Sequence, residues 1–127
     1  MPLLSDKGIA LLGSATVDMK TAATTTIFTT PVGKVTRIAY IVVRDPTASL
    51  ASGTNYSFGT GFRNNAAVDL SSLTTANTDY IVLQNATNVG NDQKSTEIAA
   101  ATAFQITVTT GSALAANATI DVFGYTT

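Results

Sequence analysis

The last third of the chain carries a strict two-residue alternation of apolar and polar side chains. The alternating residues are Phe104, Ile106 and Val108 on the apolar side, and Gln105, Thr107 and Thr109 on the polar side. Successive side chains of a β-strand point to opposite faces, so this spacing predicts an antiparallel strand with one face in a core and one in water. Such a face must be covered by another layer, which favours a sandwich or a barrel.

A second alternating segment lies close to the end of the chain. Its Ile120 and Val122 are predicted to face one way, and Asp121 and Phe123 the other. Gly124 lies within the same segment, and a glycine inside a strand indicates a bulge or the close approach of another backbone.

The longest apolar run covers residues 35–43 and is rich in β-branched side chains. It predicts a central strand that is covered on both faces. The tripeptide Pro-Val-Gly at 31–33 precedes it and is typical of a type I turn, with the previous strand near 25–29. Asp45 and Pro46 end the run, because the residue before a proline is restricted to extended or turn conformations.

Turn signals divide the chain into short strands with almost no helix. Further strands are predicted near residues 15–19 and 80–84 and around Tyr56 and Phe58, whereas the alanine-rich segment 97–103 is compatible with one helical turn. We therefore predict an all-β fold, a single β-sandwich of about seven to eight antiparallel strands with jelly-roll or Greek-key-like connections. The 127 residues fit one domain, predicted over residues 1–127 with residues 1–7 as a flexible amino-terminal arm.

Charged residues make up only 12% of the chain, and the net charge is −1. The basic residues are scattered, which argues against nucleic acid as a partner, because clustered phosphate contacts supply much of that affinity. No apolar stretch is long enough to span a bilayer and no signal-peptide pattern is present, so we expect a cytoplasmically made protein that is neither membrane-bound nor secreted. A surface poor in charge favours contact with another protein, and a merely uncharged exterior is the alternative.

The chain contains no histidine and no cysteine. This removes the usual general base, the thiol nucleophile and the common zinc ligands. No spacing pairs two carboxylates as a glycosidase requires, and the Asn/Asp-rich loop at 88–92 lacks the pattern of a calcium loop. The sequence therefore predicts no enzyme, no catalytic residue, no cofactor and no bound metal.

The candidate contact residues are a cluster of aromatic side chains and the arginine that follows it. They are Tyr56, Phe58, Phe62 and Arg63. Exposed aromatic rings can stack on a sugar or anchor a protein contact, so these four residues are predicted as interface or ligand contacts. Packing in the core is the alternative for the three rings, and it is the more frequent fate of such residues.

Two stretches together resemble small β-sandwich virion proteins of tailed bacteriophages. Thr-Thr-Pro-Val-Gly-Lys at 29–34 resembles their Pro-x-Gly-Lys turn between early strands, and residues 118–125 resemble their final strand. The resemblance implies a head decoration (cement) protein on the capsid exterior, made in the host cytoplasm, which stabilises the shell. It also implies the major capsid protein and further copies of the chain as partners, often in a homotrimer at threefold positions, and it brings no catalytic residues.

Two alternatives to capsid decoration stay open at this point. The chain could serve in another part of the virion, such as a tail, head fibre or baseplate, or it could be a carbohydrate-binding or adhesive β-sandwich module. The adhesive function would need an exposed platform built from Tyr56, Phe58 or Phe62. For the decoration function, we expect that deleting the residues before Gly8 weakens capsid attachment but leaves the domain folded, as occupancy on capsids would report.

Overall fold

The computed structural model describes residues 8–50, 55–59, 66–70, 81–84 and 97–127, and every regular element in these ranges is a β-strand. The strands are β1 (Ala10–Asp18), β2 (Ala23–Thr29), β3 (Thr36–Arg44), β4 (Asn55–Gly59), β5 (Ala66–Leu70), β6 (Ile81–Gln84), β7 (Glu97–Ile98), β8 (Ala103–Thr110) and β9 (Asn117–Thr126). The predicted all-β class is therefore confirmed. The described ranges hold nine strands, where the turn signals predict seven or eight.

The strands form two antiparallel sheets. The first contains β1, β9, β3 and β6 as successive neighbours, with the short β7 paired to the start of β3. The second contains β2, β8, β4 and β5 in that order. Four of the antiparallel pairs are nested within one another along the chain, β4 with β5, β3 with β6, β2 with β8 and β1 with β9, and they alternate between the two sheets.

Buried side chains from both sheets form one apolar cluster. The first sheet contributes mainly Val17, Ile38, Ile41, Val43, Ile120 and Val122, and the second mainly Ile27, Tyr56, Phe58, Phe104, Ile106 and Val108. Burying this surface removes it from water at roughly 25 cal/mol per Å², which is the main driving force for the fold. The alternation in β8 is confirmed, since its three apolar residues are buried and the residues between them are not.

The outward face of the first sheet is less covered than the sequence predicts. In β3 the buried residues Ile38, Ile41 and Val43 are separated by half-buried ones, so only one face of the strand lies in the core. The prediction of cover on both faces is too strong, because within the described ranges the second sheet packs on one side alone. An apolar run does not by itself distinguish one covered face from two.

The glycine prediction holds, and a turn joins β2 to β3 as predicted, but it is not the predicted type I turn with Pro31 and Gly33 at positions i+1 and i+3. The turn residues are Val32 and Gly33, and the positive φ of Gly33 at position i+2 excludes type I. Opposite Gly124 the register of β3 slips between Ile38 and Tyr40, and a Cβ on Gly124 would overlap the carbonyl oxygen of Arg37. Gly33 adopts a left-handed φ of 76° in the loop that joins β2 to β3. Both positions need a residue without a side chain, one for space and one for backbone conformation.

The segment at 97–103 is not helical, which corrects the expectation of a helical turn. It begins as β7, paired with the start of β3, and then turns through Ala101, whose φ is 53°. The turn is bonded to the β2–β3 loop, since the Thr30 amide donates to the Thr102 carbonyl at 2.9 Å. These non-local backbone bonds outweigh the helix preference of a short alanine-rich stretch.

Two buried threonines provide a first prediction on stability. Thr36 is fully buried and its hydroxyl has no hydrogen-bond partner among the described residues, whereas the Thr30 hydroxyl donates to Ala99 O at 2.7 Å and accepts from the Thr102 amide at 2.8 Å. We expect Thr36→Val to raise the free energy of unfolding by about 1 kcal/mol, because an unpaired polar group is removed at constant shape. The matched Thr30→Val should lower it by about 1–3 kcal/mol. Urea titration of both variants checks the opposite signs, and equal destabilisation would contradict the prediction.

Candidate interaction surface

Three apolar side chains form a row across the outward face of the first sheet. Leu11 of β1 lies opposite Phe123 of β9, and Phe123 in turn lies opposite Tyr40 of β3. Leu11 is 54% exposed, and the two aromatic rings are half-buried. We call these three residues the outer row. Directly opposite residues on antiparallel strands share a face of the sheet, so the strand pairing fixes the row.

The two rings of the outer row stack on each other rather than lying flat on the sheet. The ring centroids of Tyr40 and Phe123 are 4.8 Å apart, with an angle of 18° between the planes. This separation matches the spacing between neighbouring strands, so the rings stand up from the sheet with their faces turned to each other. A sugar stacks on an open ring face. The stacking covers one face of each ring, which favours apolar packing against a protein over sugar binding.

An ionic cluster lies beside the outer row, centred on Asp121, which is two residues before Phe123 on the same face of β9. Asp121 of β9 accepts a hydrogen bond from the Ser14 hydroxyl at 2.6 Å and one from Arg44 Nε, also at 2.6 Å. The other end of the guanidinium donates to Asp45 at 2.7 Å. One cation thus bridges two carboxylates, and the excess negative charge lies toward Asp45, whose side chain is 73% exposed.

The Asp121 carboxyl is held in its ionised form by its neighbours. Burial raises its pKa, but the hydrogen bonds from Arg44 and Ser14 and the charge of Arg44 outweigh burial and leave the pKa below its ordinary value. The hydrogen bond to Asp121, and after it the one to Asp45, raises the pKa of Arg44. Arg44 and Asp121 therefore compensate each other, which lowers the cost of covering this pair with a partner. The second carboxylate, that of the exposed Asp45, leaves the three-residue cluster with one net negative charge.

Removing the Asp121 charge provides a pH-dependent prediction. Because the folded-state pKa is lowered, the stabilisation is fully present above the unfolded-state value of about 3.9 and is lost as pH falls through the folded-state value. We expect Asp121→Asn to lower the free energy of unfolding by about 1–2 kcal/mol at pH 7. The difference from wild type should shrink below about pH 4.

A matched control for this variant is Asp45→Asn. Asp45 also pairs with Arg44, but its side chain is 73% exposed, and its left-handed φ of 51° suits asparagine equally well. We expect a change below about 0.5 kcal/mol at any pH. Denaturant titrations of both variants between pH 2.5 and 7 make the comparison, and a gap between Asp121→Asn and wild type that stays constant with pH would refute the assignment.

The structure places two of the predicted contact residues in the core. Tyr56 and Phe58 of β4 have no exposed surface, and the Tyr56 hydroxyl donates to the Met19 carbonyl at 3.2 Å. Burial also raises the pKa of Tyr56. Their burial supports the core-packing alternative and leaves neither ring available to a ligand. Phe62 and Arg63, the other two predicted contacts, lie outside the described residues.

The sequence contained a partial signal for the outer row. The alternation in the last strand puts Phe123 on the same face as Asp121, away from the core. It does not say that Leu11 and Tyr40 flank Phe123, because that requires the register of β1 and β3 against β9. Single-strand periodicity identifies a face, and pairing over long sequence distances identifies its neighbours.

Within the described ranges, no three acidic side chains lie close enough together to hold a metal ion. No helix in those ranges is long and apolar enough to cross a membrane. The predicted oxygen-rich loop at 88–92 lies outside them.

The chain matches no protein-family model, no curated protein and no solved structure.

Proposed function

We propose that this chain is a non-enzymatic structural protein of a tailed-phage virion, a capsid decoration protein that binds the outer capsid surface and stabilises the shell. The single observation that carries the proposal is the outer row beside the Arg44–Asp121 ion pair, on the face of the first sheet turned away from the apolar core. Such a face suits a protein partner, because it offers apolar area at the centre and few ions to desolvate.

The fold that we propose is a jelly-roll β-sandwich. Its support is the nested series of antiparallel pairs, which is the order obtained when one long hairpin of strands is wrapped so that alternate pairs fall in alternate sheets. The short β7 is an addition to the eight strands of that arrangement. Jelly rolls recur in viral capsid and lectin domains, so the fold agrees with both the decoration function and the adhesive alternative.

The partners in this proposal are the major capsid protein and further copies of the chain, arranged as a homotrimer at threefold positions on the virion exterior. A protein that binds the assembled lattice and not the separate subunits stabilises the lattice by mass action. Many modest contacts then add up over the shell. The low charge of the chain fits a role in which much of its surface is repeatedly covered.

Cosedimentation with capsids assembled from the major capsid protein of the same genome tests the proposal. The chain offers a matched pair of exposed leucines, since Leu11 is 54% exposed in the outer row and Leu114 is 57% exposed in the β8–β9 loop, away from that row. We expect wild type and Leu114→Ser to bind expanded capsids but not free subunits, and Leu11→Ser to bind at least tenfold more weakly.

A failure of wild type to bind capsids would overturn the decoration function. Binding of wild type to members of a glycan panel, without capsid attachment, would support the carbohydrate-binding or adhesive alternative. Equal capsid binding by both leucine variants would leave the decoration function standing and remove the outer row from it.

A further inference from the structure

One lateral side of the molecule ends in two strand edges that have no further strand beside them among the described residues. β1 is the outermost strand of the first sheet and β2 that of the second, and the two strands lie against each other. Within the described residues, β1 pairs with β9 alone, so the backbone groups on its other side have no strand partner there. An open edge presents a row of donors and acceptors to any strand that can align with it.

The edge of β1 lacks two of the features that normally prevent such pairing, an internal charge and a proline. From Ala10 to Val17 it contains no charged residue and no proline. One register shift interrupts it between Leu11 and Gly13, and from Gly13 the pairing with β9 continues without a break to Asp18. Monomeric β-proteins usually blunt an edge with lysine, proline or a bulge, and β1 has only the bulge close to its start, which leaves residues 13–18 regular.

We propose that the edge of β1 pairs antiparallel with β1 of a second copy around a twofold axis, which joins the two first sheets into one continuous sheet. The charge of the strand favours this occupant and this direction. Asp18, the only ionic residue of β1, stands at its last position. Antiparallel pairing separates the two Asp18 carboxylates to opposite ends of the contact, whereas parallel pairing would set them side by side.

The side chains of β1 are also compatible with those of β1 in a second copy. Ser14 and Thr16 are exposed on the outward face, and Ala15 and Val17 point to the core side. Opposite residues of an antiparallel pair share a face, so a twofold axis perpendicular to the sheet sets small hydroxyl side chains beside each other and keeps the two cores on the same side. β2 continues the surface into the second layer, since Ala23–Thr29 is likewise uncharged.

This contact goes beyond the proposed function, because it needs no capsid. On a capsid it would join copies that belong to neighbouring trimers. Isologous contacts of this kind are self-limiting, so an edge satisfied by its own copy is no longer open to uncontrolled pairing.

Sedimentation velocity on the full chain tests the inference with two lysine variants. Thr16→Lys places a charge on the outward side of the β1 edge, near its twofold mate, whereas Thr109→Lys places the same charge at an exposed position of the interior strand β8. We expect Thr16→Lys to halve the mass of the assembled species, or to weaken its association at least tenfold. Thr109→Lys should behave as wild type. Amide hydrogen exchange over residues 10–18 should slow as the wild-type concentration rises.

Three results would overturn the inference. The first is an unchanged mass and association constant for Thr16→Lys. The second is exchange over residues 10–18 that does not depend on concentration. The third is single-copy wild type whose β1 amides become protected only on capsids, which would assign the edge to a strand of another protein. Capsid attachment is read separately, so association through β1 without capsid binding would sink the decoration function and leave this inference standing.

Discussion

Gly124→Ala is expected to destabilise the protein by about 3 kcal/mol or more. A methyl group at this position would overlap the carbonyl oxygen of Arg37 and come within 2.9 Å of Leu12 Cδ1. The first of these is a backbone atom of the neighbouring strand and cannot rotate away. Relief requires β3 and β9 to separate at the central pair of the first sheet, which breaks hydrogen bonds and core packing together.

Gly33→Ala is the control for this variant. Gly33 has a left-handed φ of 76°, but a Cβ there would meet no atom within 4 Å. Its cost is therefore conformational only, about 1–2 kcal/mol. Urea unfolding followed by circular dichroism ranks the two variants. A Gly124→Ala protein as stable as Gly33→Ala would mean that β3 and β9 do not approach each other as closely as described.

Gly124 also illustrates what periodicity can and cannot predict. A glycine that interrupts an alternating strand indicates a close approach, and that much is read directly from the last strand. The partner in the approach is Arg37, which lies 87 positions earlier in the chain (124 minus 37), and the register slip beside it is a property of the pair. The alternation within one strand predicts that a side chain would not fit at such a position. The pairing of strands distant in sequence determines which backbone atom lies there.

The candidate surface likewise has features that one strand predicts and features that depend on strand pairing. The inward and outward faces of the last strand follow from its alternation, so the burial of Ile120 and Val122 and the outward position of Phe123 are predictable. By contrast, the cluster Tyr56 and Phe58 is prominent in the sequence and buried in the structure. Aromatic content is the same in a core and in a binding platform, and only the neighbouring strand and the opposite sheet distinguish them.

The strand edges of β1 and β2 and the outer row share one property, a low density of charged side chains. The lateral side formed by β1 and β2 carries only Asp18 as an ionic residue, and on the first sheet Arg44 compensates the charge of Asp121. Few ions would have to lose water when either surface is covered. The low charge of the chain, 12% of its residues, thus agrees with the two contacts that we propose, a face for one partner and an edge for a second copy.

Phe58→Ala is expected to lower the free energy of unfolding by about 3–5 kcal/mol. Phe58 has no exposed surface, and β4 holds it opposite Ile106 of β8, at the centre of the second sheet. A domain of this size has a total stability of about 5–15 kcal/mol, so the variant is expected to be largely or marginally unfolded at 37 °C. Chemical denaturation at 15 °C measures the loss.

A graded series keeps this prediction testable even if Phe58→Ala does not fold. Phe58→Leu leaves a smaller void and should cost about 1–2 kcal/mol. Tyr56→Phe removes only the hydroxyl that donates to Met19 O, at a cost of about 1 kcal/mol. If instead these rings formed a binding platform, all three variants would keep wild-type stability and lose affinity for a ligand. Stability and glycan binding measured on the same preparations therefore discriminate between a core and a platform, because a void in a packed core destabilises the fold whether or not a ligand is present.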